Sequence, residues 1–100
     1  MARPSKHLSL MQAIHSAVTT GEYVYVGHAL KRLGERKVSH PEVEQVLLSG
    51  HHEKAKDVFD EHFQSWKYAI RGKTVDSREL RVAVAFDSTM LIVTVIDLTD

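Results

Sequence analysis

The sequence predicts an α+β domain, with helices in its N-terminal half and a small antiparallel sheet in its C-terminal half. Apolar residues recur every three or four positions as far as residue 50 and at every second position in most of the remainder. Helices followed by strands, without regular alternation, are typical of the α+β class. One hundred residues is a common size for one domain, so we expect residues 1–100 to form a single domain.

The first predicted helix runs from about Lys6 to Thr19. Ser5 is suited to be its N-cap, and Gly21 follows its last periodic residue as a stop. Residues 22–26 are β-branched and aromatic, which favours a short strand after this helix.

A second helix is predicted over residues 27–35, with Leu30 and Leu33 pointing inward. The third helix has the clearest boundaries, because a capping box, a first-turn proline and a terminal glycine mark its ends. These residues are Ser39, Glu42, Pro41 and Gly50.

The rest of the chain predicts strands. Residues 51–56 are compatible with a strand, whereas residues 57–65 fit either a loop or a short helical turn. Alternating residues then predict strands over 65–71, 79–87 and 90–98. Because short connections join these three strands, we expect an antiparallel meander whose last strand is central, being apolar on both sides.

Composition excludes several classes of protein. The chain has no cysteine, which rules out disulfides and thiol catalysis, and no apolar run long enough to span a membrane. No signal peptide is recognisable at the N-terminus, so we expect a cytoplasmic protein. The 13 basic and 13 acidic residues balance, which argues against coating nucleic acid by bulk charge. The placement of the charges is therefore more informative than their sum.

Alternation along the strands places three cations together. Lys67 and Arg71 share one face of their strand, and Arg81 lies on the same face of the next strand, interleaved with alanines. Cations around small side chains would suit a phosphate-binding surface. The alternative is an ordinary solvated sheet face, and the pattern does not decide between them.

The second helix carries another candidate surface. His28, Arg32 and Arg36 are spaced four residues apart, so a regular helix places them on one side. Arginine suits phosphate and histidine can move a proton near neutral pH. Local pairing of the arginines with Glu35 is the alternative.

Other clusters predict less. His51, His52 and Glu53 lack the spacing of a zinc-binding helix, so we expect no metal site. A second group of acids is interpreted as a solvated loop rather than as an acid–base pair; its members are Asp57, Asp60 and Glu61.

The motif His28-x3-Arg32-x2-Glu35-Arg36-x-Val38-Ser39, with Gly72-Lys73-Thr74 further on, resembles a bacterial family of small proteins of unknown function. That family groups with RelE-like toxins such as BrnT. Most of the chain also resembles the MqsR family of endoribonuclease toxins, in elements that include His7-Leu8, Gly21, Ala29-Leu30, a strand at Trp66 and Leu91-Ile92-Val93. Both resemblances imply helices on one face of an antiparallel sheet and RNA on the other.

The resemblance implies a metal-independent, mRNA-cleaving endoribonuclease toxin of a bacterial toxin–antitoxin system. Its expected partners are RNA and a cognate antitoxin protein, with no cofactor and no membrane, and homo-oligomer formation is left open. Lys67, Arg81 and His28 are the expected catalytic residues. The expected phosphate-binding residues are Arg71, Lys56, Lys54, Arg32 and Arg36.

The alternative is a non-catalytic interaction protein, such as an inactive relative or an immunity-type factor. Three catalytic positions of MqsR-like toxins carry other residues in this chain: Lys67 replaces a glutamine, Arg81 a tyrosine and Ile96 a lysine.

Overall fold

The computed structural model describes residues 3–99. It contains three helices, a 3₁₀ turn at Lys54–Lys56 and six strands, which confirms the α+β class. In chain order the elements are α1 (Leu10–Thr20), β1 (Tyr23–Tyr25), α2 (Gly27–Arg36), α3 (His40–Ser49), β2 (His51–His52), β3 (Val58–Asp60), β4 (Ser65–Lys73), β5 (Glu79–Phe86) and β6 (Met90–Asp97).

The six strands form one sheet in the order β1-β6-β5-β4-β2, with β3 also paired to β4. Strands β4, β5 and β6 make the predicted antiparallel meander. The sheet as a whole is mixed, because β1 from the helical half pairs in parallel with β6. Strand β6 therefore lies between two neighbours, as its apolar character on both sides predicts.

One side of β4 is bordered by an interrupted strand. The predicted strand over 51–56 is formed only at its first two residues, and the undecided stretch 57–65 contains β3 and a turn. Between β2 and β3 the chain leaves the edge of β4, and the side chain of Asp57 replaces one of the backbone partners of β4. The Ala69 N–H donates to the Asp57 carboxylate at 2.9 Å, while the Ala69 carbonyl accepts from the Glu53 N–H at 2.8 Å.

The first helix begins at Leu10, so the predicted start at Lys6 and the Ser5 cap are wrong. The preceding residues instead run across the sheet. The Trp66 indole N–H donates to the Pro4 carbonyl at 2.9 Å, and the His7 N–H donates to the Tyr68 hydroxyl at 2.8 Å. The Ser9 N–H, which would donate to the Ser5 carbonyl in a helix that began at Lys6, instead donates to the His7 Nδ1 at 3.1 Å.

All three helices pack on one face of the sheet around a shared core. The predicted capping box of α3 is present, with the Ser39 side chain accepting from the Glu42 N–H. In α2 the inward position predicted for Leu30 is wrong, because Leu30 is 49% exposed and Ala29 is buried in its place. The core comprises Leu10, Ile14, Val18, Ala29, Leu33, Val38, Val43, Val46, Leu47, Tyr68, Ile70, Leu80, Val82, Val84, Met90, Ile92 and Val95. Within residues 3–99, no helix has the length and apolar character needed to cross a membrane.

Candidate functional site: the open face of the sheet

The side of the sheet opposite the helices is called the open face. Arg71 and Arg81 are direct cross-strand partners on this face, and Ala69 is paired with Ala83 in the next row. Lys67 lies on the same face of β4, since it is separated from Arg71 by four residues. The structure therefore places the three cations on one surface, above a floor of small side chains.

A single carboxylate joins the two arginines. Glu53 accepts from the Arg81 Nε at 2.6 Å through one oxygen and from an Arg71 Nη at 3.2 Å through the other. Arg71 also donates to Glu79 at 3.0 Å. The hydrogen bond from Arg81, and then that from Arg71, lowers the pKa of Glu53 to about 2 against the opposing effect of burial. Glu53 is thus held as an anion between two guanidinium groups.

Lys67 has its own acidic partner. Its ammonium group lies 3.2 Å from the Asp60 carboxylate, whose pKa is lowered first by the Phe63 N–H and then by Lys67. Both residues line a groove of about 710 Å³ beside the exposed ring of Phe63, with Leu91 and Val93 also lining it.

The open face is therefore not the bare basic surface that the pattern of cations suggests. Three cations meet three acids there: Lys67, Arg71 and Arg81 against Glu53, Asp60 and Glu79. A phosphate group would have to compete with these carboxylates for the guanidinium and ammonium donors.

The second helix does not converge with the open face. Helix α2 packs on the opposite side of the sheet through Ala29 and Leu33, and His28 is exposed there. Arg32 lies 3.6 Å from Glu35, which is the local pairing kept open from the sequence. The Arg36 Nε is buried without a partner among residues 3–99. His28, Arg32 and Arg36 are thus separated from Lys67 and Arg81.

Lys54 and Lys56 lie elsewhere again, on the exposed 3₁₀ turn between β2 and β3. Neither forms an ion pair with an acid of the described part of the chain. They are accessible cations at the margin of the sheet.

Asp57 was interpreted as part of a solvated loop, and this interpretation is wrong, because its side chain is 0% exposed. Its carboxylate accepts from the Lys6 Nζ at 2.9 Å and lies 2.8 Å from the His52 Nε2. Together with the Ala69 N–H, these are three partners around one buried acid. His52 and Lys54 face the N-terminal segment across a groove, called the N-terminal groove, which residues 6–12 complete.

Sequence reasoning also missed Arg78, which joins α2, α3 and β6. Its guanidinium donates to the carbonyls of Arg36 and Lys37, at 2.7 Å each, and to Asp97 at 2.7 Å. A second acid, Glu42, lies 3.6 Å away. Two of its partners are carbonyls at the end of α2, where a cation is stabilised by the helix dipole. A basic residue in a loop gives no sign of this role in the sequence.

Within residues 3–99, no group of three or more histidine and acidic side chains is arranged to hold a metal ion. No curated protein and no solved structure matches this chain. A family model described as a domain of unknown function, DUF4258, matches residues 25–97. The match runs from the end of β1 to the end of β6 and includes the arginine pair with Glu53. The chain therefore belongs to the DUF4258 family of domains of unknown function.

Proposed function

We propose that this protein is a metal-independent endoribonuclease of the RelE-like and MqsR-like kind, acting as the toxin of a bacterial toxin–antitoxin system. The observation that carries the proposal is the pairing of Arg71 with Arg81 in register, with Glu53 between their guanidinium groups. The resemblance described from the sequence supports it independently.

RNA cleavage by the neighbouring 2′-hydroxyl requires a proton acceptor and donors that stabilise the charged phosphorus centre. Guanidinium groups offer forked donors for phosphate oxygens, and stabilisation of developing charge is usually the largest catalytic contribution. In this proposal Arg71 and Arg81 bind the scissile phosphate. In the absence of RNA, the Glu53 carboxylate balances the charge of the two arginines. When RNA binds, its phosphate group replaces this carboxylate.

Glu53 is assigned as the proton acceptor. Its low pKa results mainly from hydrogen bonds donated by the two arginines, so its basicity rises when a phosphate group takes over those donors. It then accepts the 2′-hydroxyl proton as the O2′–phosphorus bond forms and the phosphorus–O5′ bond breaks. The leaving oxygen takes its proton from water.

Lys67 is assigned to a neighbouring phosphate. Four residues of strand separate it from Arg71, which corresponds to about 13 Å. Lys67 contacts Asp60, whereas Arg71 contacts Glu53 and Glu79, and these separate partners support separate phosphates for the two cations. His28 does not line the groove that holds Lys67, so we assign it no part in the reaction and propose for it a structural role or a contact with a protein partner.

The second candidate is a non-catalytic interaction protein. One observation favours it: each of the three cations on the open face already has an acidic partner. A face with internally balanced charge suits a protein partner as well as RNA. The two functions differ in whether RNA is cleaved.

The test is induction in bacteria of the wild type and of a Lys67→Ala/Arg81→Ala variant, with growth, soluble protein and total mRNA integrity followed together. The matched control is Lys31→Ala/Lys37→Ala, which removes two exposed positive charges away from the open face. We expect growth arrest and RNA cleavage for the wild type and the control, but not for the open-face variant. Normal growth and intact RNA at high soluble wild-type levels would leave the interaction protein as the better account.

A further inference from the structure

The N-terminal groove has a volume of about 650 Å³, and four of its nine lining residues are lysines or histidines. Lys6, His7, His52 and Lys54 contribute its ionisable groups, and no acidic residue lines it. Volumes of this order accommodate small organic ligands. The lining favours an anionic one.

His52 is held in a fixed orientation beside this groove. Its Nε2 lies 2.8 Å from the buried carboxylate of Asp57, and its ring packs edge-on against Tyr68 with 5.9 Å between the ring centroids. The side chain keeps 15% of its surface exposed. No described residue hydrogen-bonds to its other ring nitrogen, Nδ1, which leaves one polar atom for a ligand.

Asp57 and Lys6 can be explained by structure alone, since their ion pair attaches the N-terminal segment to the sheet. That role requires neither an imidazole with a spare nitrogen nor the exposed, unpaired Lys54 at the same groove. The juxtaposition of these two groups is what indicates a ligand.

We propose that the N-terminal groove binds the phosphate group of a nucleotide, with the Lys54 ammonium and the Nδ1–H of protonated His52 as its donors. Lys6, paired with Asp57, adds a third positive charge, and the fully exposed Leu8 provides apolar surface for a base. This site is separate from the open face and does not depend on RNA cleavage.

In this proposal binding is stronger at pH 5.5 than at pH 7.5, because only an imidazolium carries a proton on both ring nitrogens. His7 lines the same groove and contributes with the same sign. The other groups near the ring are the Asp57 carboxylate, the Lys6 and Lys54 ammonium groups and the Tyr68 hydroxyl.

Two probes distinguish the sources of the phosphate. A 2′-O-methyl uridine dinucleotide represents a strand, resists cleavage and carries a fixed charge, whereas uridine 5′-phosphate represents a free nucleotide or a strand end. Affinities are measured by calorimetry at pH 5.5 and 7.5, and histidine ring resonances are followed by NMR. We expect the resonances of His52 to move on addition of a probe and those of His51 to stay.

The matched variants are His52→Gln, which keeps a donor for Asp57, and His51→Gln at the adjacent exposed residue. Lys54→Ala is compared with Lys56→Ala on the same turn. Loss of a charged donor should weaken dinucleotide binding at pH 5.5 about tenfold in His52→Gln and Lys54→Ala, with less than a twofold change in the controls.

The difference in dinucleotide affinity between pH 5.5 and pH 7.5 should also be smaller in His52→Gln than in the wild type, with His7 accounting for what remains. Undetectable binding at millimolar probe, unmoved His52 resonances or equal affinities in all four variants would overturn the proposal. If His52→Gln does not fold, the wild-type protein still tests the proposal, because its His52 resonances either move on addition of a probe or stay unchanged. Preference for the dinucleotide identifies a strand as the ligand, and preference for the 5′-phosphate identifies a free or terminal nucleotide.

Discussion

Glu53 controls the charge that the open face presents to a ligand. Replacing it with glutamine keeps the size of the side chain but leaves Arg71 and Arg81 facing each other without their shared anion. At pH 7 we expect Glu53→Gln to bind RNA several-fold more tightly, to lose cleavage, and to be less stable by about 1–2 kcal/mol after allowance for solvent screening. Fluorescence anisotropy, a cleavage gel and urea unfolding measure the three effects. Weaker RNA binding by this variant would contradict the assignment of the arginines.

The same residue gives stability a defined dependence on pH. The pKa of Glu53 is lowered from 4.5 to about 2 in the folded protein, so its stabilising contribution is complete above pH 4.5 and is lost as the pH falls towards 2. In urea unfolding between pH 6 and 2.5, the wild type should therefore lose more stability than Glu53→Gln. Parallel curves for the two proteins would show that the carboxylate does not stabilise the fold.

Asp57 is a fully buried acid, and its partners come from three separate segments of the chain. Asparagine keeps an oxygen for the Ala69 N–H but removes the charge that Lys6 and His52 contact. Because the side chain is fully buried, we expect Asp57→Asn to cost about 2–4 kcal/mol. Chemical denaturation measures this loss, and Asp76→Asn in an exposed turn is the control. A change below 0.5 kcal/mol, the range of ordinary surface substitutions, would argue against the role given to Asp57.

At the scale of the elements, two glycines test how α3 and α2 fit their surroundings. A Cβ at Gly50 would lie 2.5 Å from the Arg71 and Val46 carbonyl oxygens, whereas a Cβ at Gly34 in α2 would meet nothing within 4 Å. Gly50→Ala should therefore destabilise by about 1–3 kcal/mol, and Gly34→Ala should stabilise by about 0.5–1 kcal/mol. Thermal unfolding of both variants checks the opposite signs. Equal effects of the two substitutions would mean that the close approach of Gly50 to β4 does not exclude a side chain at this position.

The elements that could be predicted are those specified by local patterns. The capping box fixed the start of α3, and alternation of apolar residues identified β4, β5 and β6. The interruption between β2 and β3 could not be predicted in this way. It depends on a side-chain carboxylate that satisfies the Ala69 N–H from twelve residues earlier in the chain. The parallel pairing of β1 with β6 is equally non-local.

At the scale of the whole molecule, the difference between local patterns and long-range contacts explains which parts of the candidate site could be predicted. Strand alternation placed Lys67, Arg71 and Arg81 on one face, because that placement needs only a period of two. Their neutralisation could not be foreseen, since Glu53 reaches Arg81 from 28 residues away. The N-terminal groove was missed for the same reason, because residues 6, 52 and 57 meet only in the folded chain. Seven histidines in the sequence gave no indication of which one lies beside a buried acid.

The balance of charge over the whole chain also limits how RNA can bind. With 13 basic and 13 acidic residues, and three cations on the open face, only about two or three phosphates can be neutralised. For single-stranded RNA this predicts that the logarithm of the binding constant falls with the logarithm of salt concentration with a slope of about −1.5 to −2. A protein that coats RNA by bulk charge would give a slope of about −4 or steeper.

Affinities for a 2′-O-methyl RNA between 50 and 300 mM salt measure this slope. Glu53→Gln should make it steeper by about 0.7, since one competing anion is removed, and Lys67→Ala/Arg81→Ala should make it shallower by about 1.4. A variant of α2, Lys31→Ala/Lys37→Ala, should leave it unchanged, because these residues lie away from the open face. If instead the α2 variant makes the slope shallower and the open-face variant does not, RNA binds on the helical side, and the helix bearing His28 and Arg32 becomes the nucleic-acid surface.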